Sequence, residues 1–302
     1  MPFKQVTIIG TGLIGGSLGL ALRKRHLATR VIGYDRAPVL KRAKDCGAIE
    51  AGSSNIAEAV HGSDLVVLAT PVLSILDLIE RLAPSLPART LVTDVGSTKS
   101  EIVRHAAKCF GRTAAQRFLA GHPMAGKEHA GVEFADADLF QGAAWLFTPL
   151  PRQNPHAGQC GEFLHCVEKM GARIALLDPE DHDRFCAWVS HLPQMISTAL
   201  AATLVEGFGP DAPLLEIGGR ALRDITRISS SPYSMWRDIA ITNKSNIADA
   251  IHKLEQRLAH LRENLDTREL AAEFERAHEL RKTPPRSHGD TEKGRRKGTL
   301  TS

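Results

Sequence analysis

A short β-branched run, Val6-Thr7-Ile8-Ile9, breaks on Gly10-Thr11-Gly12-Leu13-Ile14-Gly15 and continues with Leu18, Leu20 and Leu22 at helical spacing. Strand, tight turn and helix in that order open a parallel α/β sheet and few other folds. The glycines permit the turn, close approach of backbone to a pyrophosphate and close packing of the helix. The first N–H groups and positive dipole end of that helix attract an anion. A lone Gly-x-Gly-x-x-Gly is weak evidence, because glycines punctuate turns everywhere. Here, however, Asp35 closes the next strand twenty residues after Gly15. A carboxylate at that point accepts hydrogen bonds from ribose hydroxyls and repels a 2′-phosphate. Gly10, Gly12, Leu13, Ile14, Gly15 and Asp35 are therefore a candidate dinucleotide site that favours NAD over NADP. Arg36 is the counter-signal, since it could pair with a 2′-phosphate, although a solvated loop arginine is the simpler explanation.

Further strands are predicted at Arg30 to Tyr34, Asp64 to Ala69 and Thr90 to Asp94, separated by helices over 38–46 and 73–82. Such alternation predicts a parallel sheet with helices on both faces. Ligands bind such sheets beyond the carboxyl ends of the strands, where Thr70-Pro71, Gly96-Ser97 and Gly121-His122 all fall. Past Arg152-Gln153-Asn154-Pro155 the pattern becomes helical, with a helix near 158–170 and a strand at Arg173 to Leu177. The expected division is a Rossmann unit over 1–152, a helical substrate and dimerisation domain over 153–282, and a disordered basic tail over 283–302. Ile247, Ile251, Leu254, Leu258, Leu261 and Leu265 form a stripe that another helix must cover, from a partner subunit or from the same chain.

His122 sits at the end of a strand-like run at the ligand edge. Its unperturbed pKa of about 6.5 suits a general base that takes an alcohol proton as hydride leaves. Ser97 could hydrogen-bond that histidine or a substrate hydroxyl, and would equally cap a helix beginning near Thr98. Arg220, Arg223 and Arg227, at i, i+3 and i+7, would share a helical face. A solvated basic face explains them, yet an anionic substrate would use at least one such guanidinium, a fork of donors matched to a carboxylate. His191 and Gln194, three apart in an apolar helical run with Pro193, would look one way and need hydrogen bonds or a cavity.

Composition narrows the field. The formal charge of +4 owes +5 to residues 281–302, with seven Lys/Arg against two Asp/Glu, so nucleic acid is not an expected partner. The five cysteines show no C-x-x-C, which suits free thiols in a reducing cytoplasm and argues against a cysteine-bound metal. No signal peptide or apolar run of about 18 residues is evident, so a soluble, cytoplasmic protein is expected.

The chain resembles the prephenate and arogenate dehydrogenases of tyrosine biosynthesis. The resemblance runs from the glycine loop to about residue 265, through Asp94-Val95-Gly96-Ser97-Thr98-Lys99, Gly121-His122-Pro123-Met124-Ala125-Gly126, Ser190-His191-Leu192-Pro193, Asp224 to Arg227 and Met235-Trp236-Arg237-Asp238. It implies a Rossmann domain, an all-α dimerisation domain, and NAD-dependent oxidative decarboxylation of prephenate or arogenate by a homodimer. On matching positions, His122 would deprotonate the ring hydroxyl and Ser97 would orient it. Arg227 would hold a substrate carboxylate, Glu128 and His191 would shape the polar wall, and Trp236 would reach toward the neighbouring subunit's site. Several prephenate-using relatives carry histidine where this chain has Gln194, so use of both substrates is expected, with prephenate slightly favoured. With the Rossmann strand at its start and a short basic tail at its end, the sequence is expected to carry neither the mutase domain nor the regulatory domain often fused in this family.

Overall fold

The computed structural model of the chain describes residues 3–127, 129–210 and 213–282. Glu128 and the segment 283–302, both singled out in the sequence, lie outside these residues. The chain opens with β1 (Phe3–Ile9), α1 (Leu13–Lys24), β2 (Ala28–Tyr34), α2 (Ala37–Asp45), β3 (Ala51–Ser53) and α3 (Ile56–Val60). It continues through β4 (Leu65–Leu68), α4 (Val72–Leu82), β5 (Leu91–Asp94), α5 (Ser100–Phe110), α6 (Ala114–Arg117) and β6 (Phe118–Pro123). Next come β7 (Ala144–Thr148), α7 (Gly158–Lys169), β8 (Arg173–Leu176), α8 (Pro179–Cys186) and α9 (Leu192–Phe208). Five further helices complete the described chain: α10 (Pro213–Ile217), α11 (Arg220–Thr226), α12 (Tyr233–Thr242), α13 (Lys244–Glu263) and α14 (Arg268–Lys282).

One sheet runs in the order β3-β2-β1-β4-β5-β6-β7-β8. Every pairing is parallel except β6 with β7, which is antiparallel. The reason is local: between Pro123 and Ala144 the only helical piece among the described residues is a 3-10 turn at Val132–Phe134, so the chain has no crossover helix to carry it round and instead reverses. The inner strands are buried on both faces. In β4, Leu65 and Val67 join one core while Val66 and Leu68 join the other, which is why the strand reads as unbroken apolar sequence. Each such side chain stabilises the fold by about 1.5–3 kcal/mol before entropy is counted. Strand order reverses between β1 and β4, and their carboxyl ends, at Gly10 and Ala69, open a crevice.

The sheet runs past residue 152, since β8 pairs with β7 in register from Ala144 opposite Arg173. Residues up to Ala250 form one compact unit and those from Ile251 a second. In the second, Glu273 accepts hydrogen bonds from Arg257 Nη1 at 2.7 Å and from Arg276, tying α13 to α14. Leu258, Leu265, Phe274 and Leu280 there stand exposed. Among the described residues no helix is long and apolar enough to cross a membrane.

Candidate active site

The glycine loop is built as its spacing predicts, and each glycine has its own reason. Gly10 lies at φ +90, and a Cβ on it would fall 2.4 Å from the Ala69 carbonyl oxygen. A Cβ on Gly15 would fall 1.9 Å from the Gly10 oxygen. Gly12 is different: a Cβ there would meet nothing within 4 Å, and Gly12, Leu13 and Ile14 line a cavity of about 610 Å³. Helix α1 has no side-chain cap, so its first N–H groups face that cavity's end of the helix uncommitted. Asp35, just past β2, accepts from Thr11 N at 2.8 Å and Thr11 Oγ1 at 3.3 Å on one oxygen and from Arg36 N at 2.8 Å on the other. Its carboxylate is thereby fixed beside the loop with lone pairs to spare. An open glycine, free N–H groups at a helix start and an oriented carboxylate fit a dinucleotide.

The same cavity is lined by Thr70, Pro71, Ser97, His122, Ser190 and Trp236, so with the glycine loop six segments far apart in sequence meet at the carboxyl edge of the sheet. Ser97 and His122 share the cavity, but among the described residues no hydrogen bond joins them, and Ser97 does not cap α5. The cap comes from Asp183, whose carboxylate accepts from Lys99 N at 2.7 Å and Ser100 N at 2.9 Å. His122 Nδ1 lies 2.9 Å from His182 Nε2, and His182 Nδ1 lies 2.9 Å from Asp183 Oδ1. Burial, then the neighbouring His182, Lys99 and His191, hold His122 well below the usual histidine pKa. It is a neutral imidazole at pH 7. Burial alone would raise Asp183, but the His182, Ser100 and Lys99 donors hold it below its ordinary value.

Beneath His122 lies a fully buried ion pair that sequence reasoning missed. Lys99 Nζ contacts Asp94 Oδ2 and donates to the Gly121 carbonyl at 2.9 Å, while Asp94 accepts from Gly96 N at 2.8 Å and Gly121 N at 3.3 Å. Burial pushes Asp94 up and Lys99 down, each opposed by the other. Gly121 is thus held on both its N–H and its carbonyl, which fixes the backbone that presents His122.

The helical residues divide. His191 is buried in a π turn, Ala187–His191. The wide bond that closes the turn runs from Leu192 N to the Ala187 carbonyl, five residues back, and Pro193 follows at the start of α9. Asn243 Nδ2 lies 3.2 Å from His191 Nδ1, which places the ring proton on Nε2. That Nε2 and Trp236 Nε1 are buried without a hydrogen-bond partner among the described residues, and the two rings meet edge to face at 5.9 Å. Burial lowers His191 to about 4. Gln194 does not face the cavity: its Nε2 donates to Thr198 Oγ1 at 3.1 Å and the Ile228 carbonyl at 2.9 Å. Arg220 and Arg223 lie on α11, and Arg227 follows directly at its C-terminal end with helical backbone angles, where a 3-10 turn, Arg227–Ser230, begins. Arg227 is exposed, and Ser231 and Pro232 just beyond it line the cavity. Arg36 is exposed beside Asp35. Asp238, also missed, is buried and accepts from Leu73 N at 3.1 Å, tying α12 to the start of α4. The sequence signal for His182 and Asp183 was an acid–histidine pair whose helix also buries Cys186.

Two family models meet near residue 177. "Prephenate dehydrogenase, nucleotide-binding domain" matches residues 18–176, and "Prephenate dehydrogenase, dimerization domain" matches 178–279. A prephenate dehydrogenase of Bacillus subtilis is 34% identical over 81% of this chain, which spans 65% of that protein's length. A cyclohexadienyl dehydrogenase of Zymomonas mobilis is 30% identical, over 80% of this chain and 81% of its own. The crystal structure of prephenate dehydrogenase from Aquifex aeolicus, in complex with hydroxyphenyl propionate and NAD+, superposes with a TM-score of 0.80 at 33% identity, covering 92% of this chain and 95% of that one.

Proposed function

The chain belongs to the prephenate dehydrogenase family, and from that premise we propose that it oxidatively decarboxylates prephenate to 4-hydroxyphenylpyruvate with NAD. The observation that carries the reading is His122, neutral and buried, at the wall of a cavity that also contains the glycine loop. NAD, when bound, accepts the hydride from the ring carbon that bears the hydroxyl. His122 Nε2 takes the hydroxyl proton as that carbon becomes a carbonyl. The ring carboxylate leaves as carbon dioxide, its electron pair completes the aromatic ring, and the carbonyl oxygen recovers the proton from His122. No separate acid is needed, so the protein's work is orientation and proton custody. Gly10, Gly12, Leu13, Ile14, Gly15, Thr70 and Pro71 are assigned to the dinucleotide and Asp35 to its ribose. Ser97 is assigned to the substrate hydroxyl and Arg227 to a carboxylate. The unpartnered N–H groups of His191 and Trp236 support a place in the substrate wall. We place the division between the two halves at 177 rather than 152, a reading supported by β8.

The protein works as a homodimer through its helical half. Its biosynthetic relatives and free thiols support a cytoplasmic location. A specific observation favours arogenate as a second substrate: Gln194 is neutral and spends its amide N–H groups on Thr198 and Ile228, so it brings no charge to discriminate the two side chains. The test is His122→Asn assayed with each substrate. Turnover should fall about 10²- to 10⁴-fold with NAD affinity retained; unchanged turnover overturns the base. A preference for one substrate in kcat/KM of about a hundredfold or more excludes dual use.

A further inference from the structure

We infer that His182 and Asp183 form a positioning relay that fixes the tautomer of His122, so that its cavity-facing Nε2 is the bare, proton-accepting nitrogen. The inference rests on His122 being the base. Its logic is a chain of hydrogen-bond polarity. Asp183 Oδ1 accepts from Lys99 N at 2.7 Å and Oδ2 from Ser100 N at 2.9 Å, so the carboxylate is ionised and accepts only. The 2.9 Å contact from His182 Nδ1 to Asp183 Oδ1 therefore carries its proton on Nδ1. A neutral His182 with Nδ1–H has a lone pair on Nε2. That lone pair faces His122 Nδ1 at 2.9 Å, and two lone pairs at that distance repel, so His122 must donate from Nδ1. Its only remaining ring nitrogen, Nε2, is then unprotonated.

The ordinary preference of a histidine in water is for the opposite tautomer, which would present an N–H to the substrate hydroxyl and no base. The relay removes that choice before substrate arrives. When Nε2 takes the proton, the positive charge on His122 is stabilised through Nδ1–H by His182 and, one step further, by Asp183, which itself stays ionised as in other acid–histidine pairs. Cys186 Sγ stands 3.6 Å from His182 Nε2 and 3.9 Å from His122 Nδ1, and the three side chains have the outline of a metal site. A proton explains the spot better: the two nitrogens are at hydrogen-bond distance, burial pushes the thiol up to about 12, and the Lys99 ammonium acts on the same groups.

The experiment combines a long-range 1H–15N spectrum of the histidine rings, His122 assigned through His122→Asn, with kinetics of two His182 variants. His182→Asn keeps a donor for Asp183 and loses the acceptor for His122; His182→Gln keeps an acceptor near the Nε2 position. Expected are His122 protonated on Nδ1 and bare on Nε2, a kcat fall on the order of 10²-fold in His182→Asn with KM, NAD affinity and Tm retained, and substantial recovery in His182→Gln. A His122 ring protonated on Nε2, or both variants losing activity only in step with Tm, overturns the relay. If His122→Asn itself turns over normally, it is the base assignment that has failed, whatever the tautomer.

Discussion

His122, His182 and His191 are buried and each is held below the ordinary histidine pKa, with burial the first cause in all three. The sign of the consequence follows from linkage. Between the unfolded value of about 6.5 and the folded value, the unfolded chain binds protons that the native rings refuse, so stability is complete above that window and falls as pH drops through it. For His191 the window ends at about 4. The urea midpoint should therefore decline on acidification from pH 7 to 4, and His191→Gln should flatten part of that slope; an equal slope in both proteins would refute the assignment. The Lys99–Asp94 pair makes a second prediction at this scale. Lys99→Met leaves a buried carboxylate without its cation and should cost about 3–5 kcal/mol in denaturant unfolding. It should also blunt turnover, because Gly121 loses the donor to its carbonyl.

The loop that opens α1 separates folding from binding. Gly15→Ala forces a methyl into the Gly10 carbonyl and should lower Tm, whereas Gly12→Ala projects into the cavity and should weaken NAD binding in titration calorimetry with Tm unchanged. At the start of α4, Asp238→Ala removes a cap and should cost about 1–2 kcal/mol by chemical denaturation. The elements visible in the sequence were those whose signal is local. β1, β2, β4 and β5 are apolar runs ending in turn residues, with the glycine loop at the end of β1, while His122 falls near the end of the strand-like run that forms β6. β3, only Ala51–Ser53, offers no apolar pattern, and the reversal of β7 depends on a connection that lacks a helix. Ser97 was a candidate to bond His122 or a substrate hydroxyl; the partner of His122 Nδ1 is His182, sixty residues away, a pairing only the tertiary fold creates.

At the scale of the whole molecule, Leu258 and Leu265 of the helical stripe stand exposed, alongside Phe274 and Leu280, in the unit beginning at Ile251. A dimerization domain explains that exposure. Leu258→Glu should shift the protein from dimer to monomer in sedimentation velocity, since burying one leucine is worth about 1.5–3 kcal/mol and a buried charge costs more; an unchanged dimer would place the interface elsewhere. Asp183 has a broader consequence. One carboxylate, carried just after residue 177, both starts a helix of the nucleotide-binding half and, through His182, sets the proton on His122. A chimera joining the first half of this chain to the second half of a relative lacking that acid–histidine pair would fold with a frayed α5 and an imidazole in the wrong protonation pattern. The two halves are thus not interchangeable cassettes, and any recombination must carry this dipeptide across the junction with the sheet it serves.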